Sequence, residues 1–177
     1  MCSLERFKID LKALKAEETA LEWDVDENFF AALDGAEVQR GVLHVSASIR
    51  KVSGFFELQL HAAGTVDIPC DRCLDLMEQP IVADNQLTVR FGSENSEEDE
   101  TIVVSEDEGI IDCAWLVYET IALAIPIQHV HAPGKCNPAM TQVLEELSAD
   151  RSGDEESSQA VDPRWEKLLK LKVDSGE

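Results

Sequence analysis

Leu43-His44-Val45-Ser46-Ala47-Ser48-Ile49 and Phe56-Glu57-Leu58-Gln59-Leu60-His61-Ala62, the latter running on to Val66-Asp67-Ile68-Pro69-Cys70-Asp71-Arg72-Cys73, decide the fold of this chain. Apolar residues occupy every second position in both runs, the period at which side chains change faces along a strand. Lys51-Val52-Ser53-Gly54 between them reads as a hairpin turn, so the two strands are expected to pair antiparallel. His44 and His61 fall opposite the apolar alternation and are expected to face solvent. Ile81, Ala83, Leu87, Val89 and Phe91 give a further strand. Pro69 has no backbone donor, so pairing should weaken there and the chain should peel into a loop carrying Cys70 and Cys73.

Working outward, Leu4, Phe7, Ile9, Leu11 and Leu14 alternate first and then space helically, which predicts a short strand followed by a polar connection or helix. Asp26 is placed to cap a short helix whose Phe29, Phe30 and Leu33 point at the core. Residues 92–109 are strongly acidic. They read as a solvated loop interrupted by Thr101-Ile102-Val103-Val104, a candidate edge strand. Asp112 should open an amphipathic helix with Trp115, Leu116, Ile121 and Leu123, ending before Pro126. Met140, Val143, Leu144 and Leu147 mark another short helix. The expected organisation is an α+β domain over 1–147, a flexible linker over 148–160, and a C-terminal helix over 161–173. That last helix starts at Asp162-Pro163-Arg164-Trp165, with Asp as cap and Pro at the first helical position.

Two groups of potential metal ligands stand out. One is Cys70-Asp71-Arg72-Cys73; the other is His131-Ala132-Pro133-Gly134-Lys135-Cys136. A closed tetrahedral zinc site takes two soft ligands from a short loop and two from a distant one, so Cys70, Cys73, His131 and Cys136 form a candidate set for structural zinc. With 5 Cys in 177 residues, chance alone gives a Cys-x2-Cys pair about one time in seven, so the second half-site matters. The competing reading is buried thiols and a loop histidine. The fold class expected is therefore α+β, an antiparallel sheet with packed helices, pinned by a zinc knuckle.

The chain carries 36 acidic and 15 basic residues, a formal net charge of −21. Such a surface repels nucleic-acid backbone over most of its area and suits basic partners, although solubility alone also accounts for it. The longest apolar stretch, around 110–127, is interrupted by Asp112, Glu119 and Pro126, so no membrane span is expected. Met1-Cys2-Ser3-Leu4-Glu5-Arg6 does not read as a secretory signal, which points to the cytoplasm. There five cysteines read as ligands or core fillers sooner than as disulfides.

Enzyme signatures fail on inspection. Pro69-Cys70-Asp71-Arg72-Cys73 is half of a zinc-deaminase pattern, but neither His44 nor His61 starts the required His-x-Glu. A thioredoxin-type pair wants its cysteines opening a helix, whereas Pro80 and a new strand follow here. No phosphate-binding Gly-Lys loop or Gly-x-Ser-x-Gly elbow is present.

An alternating strand ending in Cys70-Asp71-Arg72-Cys73-Leu74 is followed by a helix opening at Ile111-Asp112 and passing Glu119, Leu123 and Pro126. A late His-x4-Cys and the closing Asp162-Pro163-Arg164-Trp165 complete the order. Over roughly residues 40–172 this resembles the YceD-like family, the large ribosomal RNA subunit accumulation proteins of bacteria and plastids. The resemblance implies a non-catalytic assembly factor for the large ribosomal subunit, supporting processing or accumulation of its rRNA. The implied partners are a basic ribosomal protein and/or large-subunit rRNA in pre-ribosomal particles. The matching positions are Cys70, Arg72, Cys73, Glu119, His131, Cys136, Asp162 and Pro163. The acidic loop is longer than the family's, and relatives often have a more cysteine-rich second half-site. An acidic adaptor or inhibitor of another basic protein is the alternative function, and a thiol-redox protein a third.

Several side chains carry two readings. Arg72 contacts RNA phosphate or a partner carboxylate, or screens thiolate charge. Glu119 orients a ligating histidine or simply faces outward. Arg164, Trp165 and Lys167 form a basic–aromatic platform or a helix anchor. Cys113 reads as a small buried hydrophobe. His129 competes with His131 as ligand, and the family pattern favours His131.

Overall fold

The computed structural model describes residues 4–35, 38–98 and 101–148. Its elements are a 3-10 turn (Leu4–Phe7), β1 (Lys8–Asp10), β2 (Glu18–Val25), α1 (Glu27–Leu33), β3 (Arg40–Val52), β4 (Phe55–Pro69), β5 (Leu76–Gly92), β6 (Ser96–Glu98), β7 (Thr101–Ser105), β8 (Ile110–Asp112), α2 (Cys113–Leu123) and α3 (Pro138–Leu147). Six strands form one sheet in the order β2-β3-β4-β5-β7-β6, while β1 and β8 pair separately. This is an α+β fold. Its sheet is antiparallel throughout except between β5 and β7, which run parallel. The chain divides into two units, residues 1–141 and 142–177. The linker expected over 148–160 and the helix over 161–173 fall almost wholly outside the described residues, as do Asp162, Pro163, Arg164, Trp165 and Lys167.

The β3–β5 meander follows the alternating sequence closely. Leu43, Val45, Ala47 and Ile49 are buried, as are Phe56, Leu58, Leu60, Ala62, Val66 and Ile68 on β4 and Ile81, Ala83, Leu87 and Val89 on β5. Val52 pairs with Phe55 across the Ser53-Gly54 turn, where Gly54 takes φ 92°, a conformation open chiefly to glycine. The ladder between β4 and β5 ends at Pro69 opposite Leu76, as the missing N–H requires. Pro80 is tolerated within β5 because β7 pairs only with residues 88–92, leaving the early part of β5 an edge.

Helices α1 and α2 pack on the apolar face of this sheet. Asp26 caps α1 by accepting from the N–H groups of Asn28 and Phe29, and Asp112 caps α2 by accepting from Ala114. Phe29 and Phe30 join Phe7, Trp23 and Tyr118 in an aromatic cluster with ring separations from 4.9 to 6.4 Å. Thr120, the one buried polar side chain among the described residues, donates to Leu116 O and accepts from Asn85 Nδ2 at 3.0 Å, tying α2 to β5.

The structure departs from the sequence expectation at four places. Residues 18–25 form a full strand rather than a polar connection, because β3 supplies a partner for every residue of it. Thr101–Val104 is not an edge strand: β7 lies between β5 and β6, with Val103 and Val104 buried. The acidic stretch is correspondingly more ordered, since β6, β7 and a turn ending at Gly109 occupy much of it. Finally, α2 is apolar on most sides rather than amphipathic. It buries Cys113, Ala114, Leu116, Val117, Tyr118 and Ile121, while Trp115 and Leu123 are exposed. No helix among the described residues is long and apolar enough to cross a membrane.

Candidate metal centre

Strand β4 ends by carrying Cys70 into a tight loop. Cys70 O accepts from Leu74 N, and Cys70 N donates to Asp75 O, so residues 70–75 turn back on themselves before β5 begins. That reversal brings Cys70 and Cys73 to one side, both buried. It also puts Leu74 at φ 62°, an uncommon conformation for a residue with a Cβ. Arg72 N points at Cys70 Sγ from 3.5 Å, while the Arg72 side chain is exposed at the loop's tip.

The second loop follows α2. Within it, Ala132-Pro133-Gly134-Lys135 closes a turn by a 2.9 Å bond from Lys135 N to Ala132 O. Proline at the second position presets its φ, and Gly134 at φ 78° supplies the left-handed third position of a type II turn. This turn folds Cys136 back beside His131.

The two loops meet. Cys70 Sγ lies 3.9 Å from Cys136 Sγ, and Cys73 Sγ lies 3.3 Å from His131 Nδ1. One ligand atom from each of Cys70, Cys73, His131 and Cys136 falls within 4.8 Å of all the others. Around a tetrahedral ion with metal–sulfur bonds of about 2.3 Å, two sulfurs stand about 3.8 Å apart and a sulfur and an imidazole nitrogen about 3.6 Å. The observed separations are close to those edges, so the group is compatible with a metal site. Its donor set, three sulfurs and one imidazole, is that of a closed structural site with no open position for substrate.

Electrostatics within the group favour a cation. Burial alone pushes the Cys70 thiol up, but the N–H groups of Arg72, Cys73 and His131 turned towards it outweigh burial and bring it down from 9.0 to about 6. Cys136 is pushed the other way, by burial first and then by the neighbouring sulfurs of Cys70 and Cys73. One thiolate forms readily and further ones repel it, a conflict that a bound divalent ion would relieve. Cys113, by contrast, is driven up to about 12 by burial and by Asp112, consistent with an inert core residue.

All four sequence-assigned ligands are therefore brought together. His129 is not among them: its Nε2 stands 3.3 Å from Asp71 Oδ1, and its Nδ1 lies 3.0 Å from Pro126 O. Glu119 does not orient a histidine; it accepts the indole N–H of Trp115 at 2.6 Å, one turn back on the same helix. A redox pair would open a helix, whereas Cys70 and Cys73 sit in a strand-to-strand loop. Sequence reasoning missed the clips between the loops, Asp71 with His129 and Asn137 Nδ2 with Asp75 Oδ2 at 3.1 Å. The only hint was a pair of aspartates in the cysteine loop, Asp71 between the cysteines and Asp75 just after them.

A family model described as large ribosomal RNA subunit accumulation protein YceD matches residues 58–172, a span that holds all four grouped residues. No curated protein and no solved structure matches the chain.

Proposed function

This chain belongs to the YceD family of large ribosomal RNA subunit accumulation proteins, and from that premise we propose a non-catalytic cytoplasmic assembly factor for the large ribosomal subunit. The match over residues 58–172 is the observation that carries this reading. The protein supports processing or accumulation of large-subunit rRNA by docking in pre-ribosomal particles, where an unprotected RNA would otherwise meet nucleases. The family is named for accumulation of an RNA rather than for a catalysed reaction, and a closed ligand set suits a structural ion.

The ion at Cys70, Cys73, His131 and Cys136 is zinc, to which three thiolates and an imidazole are well matched. Its work is to hold the loop after β4 against the loop after α2.

Docking uses two kinds of surface. A net charge of −21 favours a basic ribosomal protein as the main partner, through long-range attraction that salt screens. RNA contact is confined to the metal end. No acidic residue occurs between Glu119 and Glu145, and the Asp71 and Asp75 carboxylates are taken up by His129 and Asn137. Arg72 and Lys135 are exposed there, so a phosphate can approach without crossing a field of carboxylates. An adaptor for a different basic protein would use the same acidic surface, and co-sedimentation with large-subunit precursors separates the two.

The test is deletion of the gene. Mature large-subunit rRNA is expected to fall relative to small-subunit rRNA, with precursors accumulating. Arg72→Ala, folded and metal-loaded, is expected to rescue poorly. Normal subunit ratios and normal processing at both optimal and low temperature would overturn the ribosomal reading.

A further inference from the structure

We propose that the groove between the β6–β7 hairpin and the β8–α2 corner binds a flexible lysine- and arginine-rich segment of a protein partner, anchored by one bulky apolar side chain. The proposal deepens the assembly-factor reading and rests on it for the kind of partner.

The groove has a volume of about 720 Å³. Ile102, Ile110 and Trp115 contribute apolar surface to it, and Glu97, Glu108 and Asp112 also line it. Ile110 is 44% exposed and Trp115 46% exposed, although both belong to elements whose neighbouring residues Ile111 and Leu116 are buried. Large apolar side chains left open together beside charged residues mark interaction surfaces, and tryptophan is the residue most enriched where such surfaces bind tightly.

Trp115 is held ready. The Tyr118 ring stacks on it at 5.2 Å and 26°, and Glu119 fixes its N–H. A partner therefore need not spend binding energy ordering the indole. The same indole attracts a cation over its face.

Charge selects the occupant. Among the described residues Lys8 is the one basic residue lining the groove, and Glu5 already engages it at 2.7 Å. Glu97, Glu108 and Asp112 leave the rim acidic, within a chain of net charge −21. RNA phosphates and acidic peptides are repelled here, and a second copy of the chain would bring the same acidic rim against its own. A cationic segment is drawn in, and its apolar residue gains burial against Ile102, Ile110 and Trp115.

The full chain, zinc-loaded, is titrated with a fluorescein-labelled lysine-rich peptide carrying one central leucine. Its counterparts have serine for the leucine or glutamate for the lysines. The Trp115 indole resonance, identified by its loss in Trp115→Phe, reports the location of binding. The leucine peptide is expected to move that resonance and to bind about tenfold more tightly than the serine peptide. Glu97→Lys combined with Glu108→Lys, both on exposed side chains, is expected to weaken binding at least about tenfold at low salt. No binding, an unmoved Trp115 resonance, equal affinity for the serine peptide, preference for an RNA oligomer, or self-association through this face would each overturn the proposal. The two readings fail separately: a deletion strain with normal rRNA but a groove that binds the peptide removes only the ribosomal role. An rRNA defect fully rescued by the charge-reversed variant removes only the groove.

Discussion

Asp71 and His129 grip each other from both backbone and side chain. His129 N donates to Asp71 Oδ2 at 2.8 Å, Asp71 N donates to His129 O at 3.0 Å, and the His129 ring meets Asp71 Oδ1 at 3.3 Å. Asp71 lies between the two cysteines of the first loop, and His129 two residues before the ligand-grouped histidine of the second. The clasp thus registers one half-site against the other before any ion is considered.

Asp71→Ala should consequently loosen the site without removing a ligand. The lost bonds involve a partly exposed carboxylate, so the expected destabilisation is about 1 kcal/mol, at the lower end for charged hydrogen bonds. Zinc should still bind but pass faster to a chelator. Denaturant unfolding and a chelator-competition time course check this; unchanged metal release would show that the ion alone registers the loops.

Purified without chelator, the protein should carry close to one zinc per chain by elemental analysis. Cys73→Ser should lose it and with it on the order of 3 kcal/mol or more of stability, because ion binding is coupled to closing the two loops. A metal-free wild-type protein of undiminished stability contradicts the zinc assignment.

Leu74→Gly is expected to stabilise. Leu74 sits at φ 62° and is 68% exposed, so its side chain contributes little packing. A left-handed conformation costs an L-residue roughly 1–2 kcal/mol, and glycine's added unfolded-state freedom takes back roughly 0.5–1 kcal/mol. The net gain is about 0.5–1 kcal/mol, read from thermal or denaturant unfolding. A loss of stability would mean that Leu74 packs more tightly in solution.

His44 should titrate above its ordinary 6.5. The Asp24 carboxylate bonded to its Nδ1 at 3.0 Å raises it, against a smaller opposing effect of burial. A raised folded-state value means that the pair's contribution is fully present below about 6.5 and is lost as pH climbs through the folded-state midpoint. An NMR titration of the ring checks the midpoint, and Asp24→Asn should return it towards the ordinary value. A wild-type midpoint at or below 6.5 refutes the pairing.

The β3–β5 meander, the capped helices α1 and α2, and the two Cys/His half-sites that the fold brings together were legible from residues alone, because each depends on signals spanning a few positions. Leu58, Leu60 and Ala62 alternate; Asp26 and Asp112 precede apolar helical runs; Pro133-Gly134 writes its own turn. Residues 18–25 were not legible, since Glu18, Ala20 and Glu22 dilute the alternation and only pairing with β3 makes a strand of them. Trp115 was read as one of the apolar residues of an amphipathic helix, yet a helix buried on most sides must turn some residue outward, and spacing does not say which.

By itself, the sequence determined where the strands of the β3–β5 meander and the capped helices lie, which atoms are soft donors, and where the chain turns between them, since these follow from backbone sterics and local periodicity. Only the tertiary structure decided that Cys73 and His131, separated by 58 positions, come within 3.3 Å, that β7 slots parallel beside β5, and that Asp71 takes His129. Those outcomes depend on which distant segments bury one another's surface and satisfy one another's polar groups. That competition is settled across the whole chain, and no short window of residues contains it.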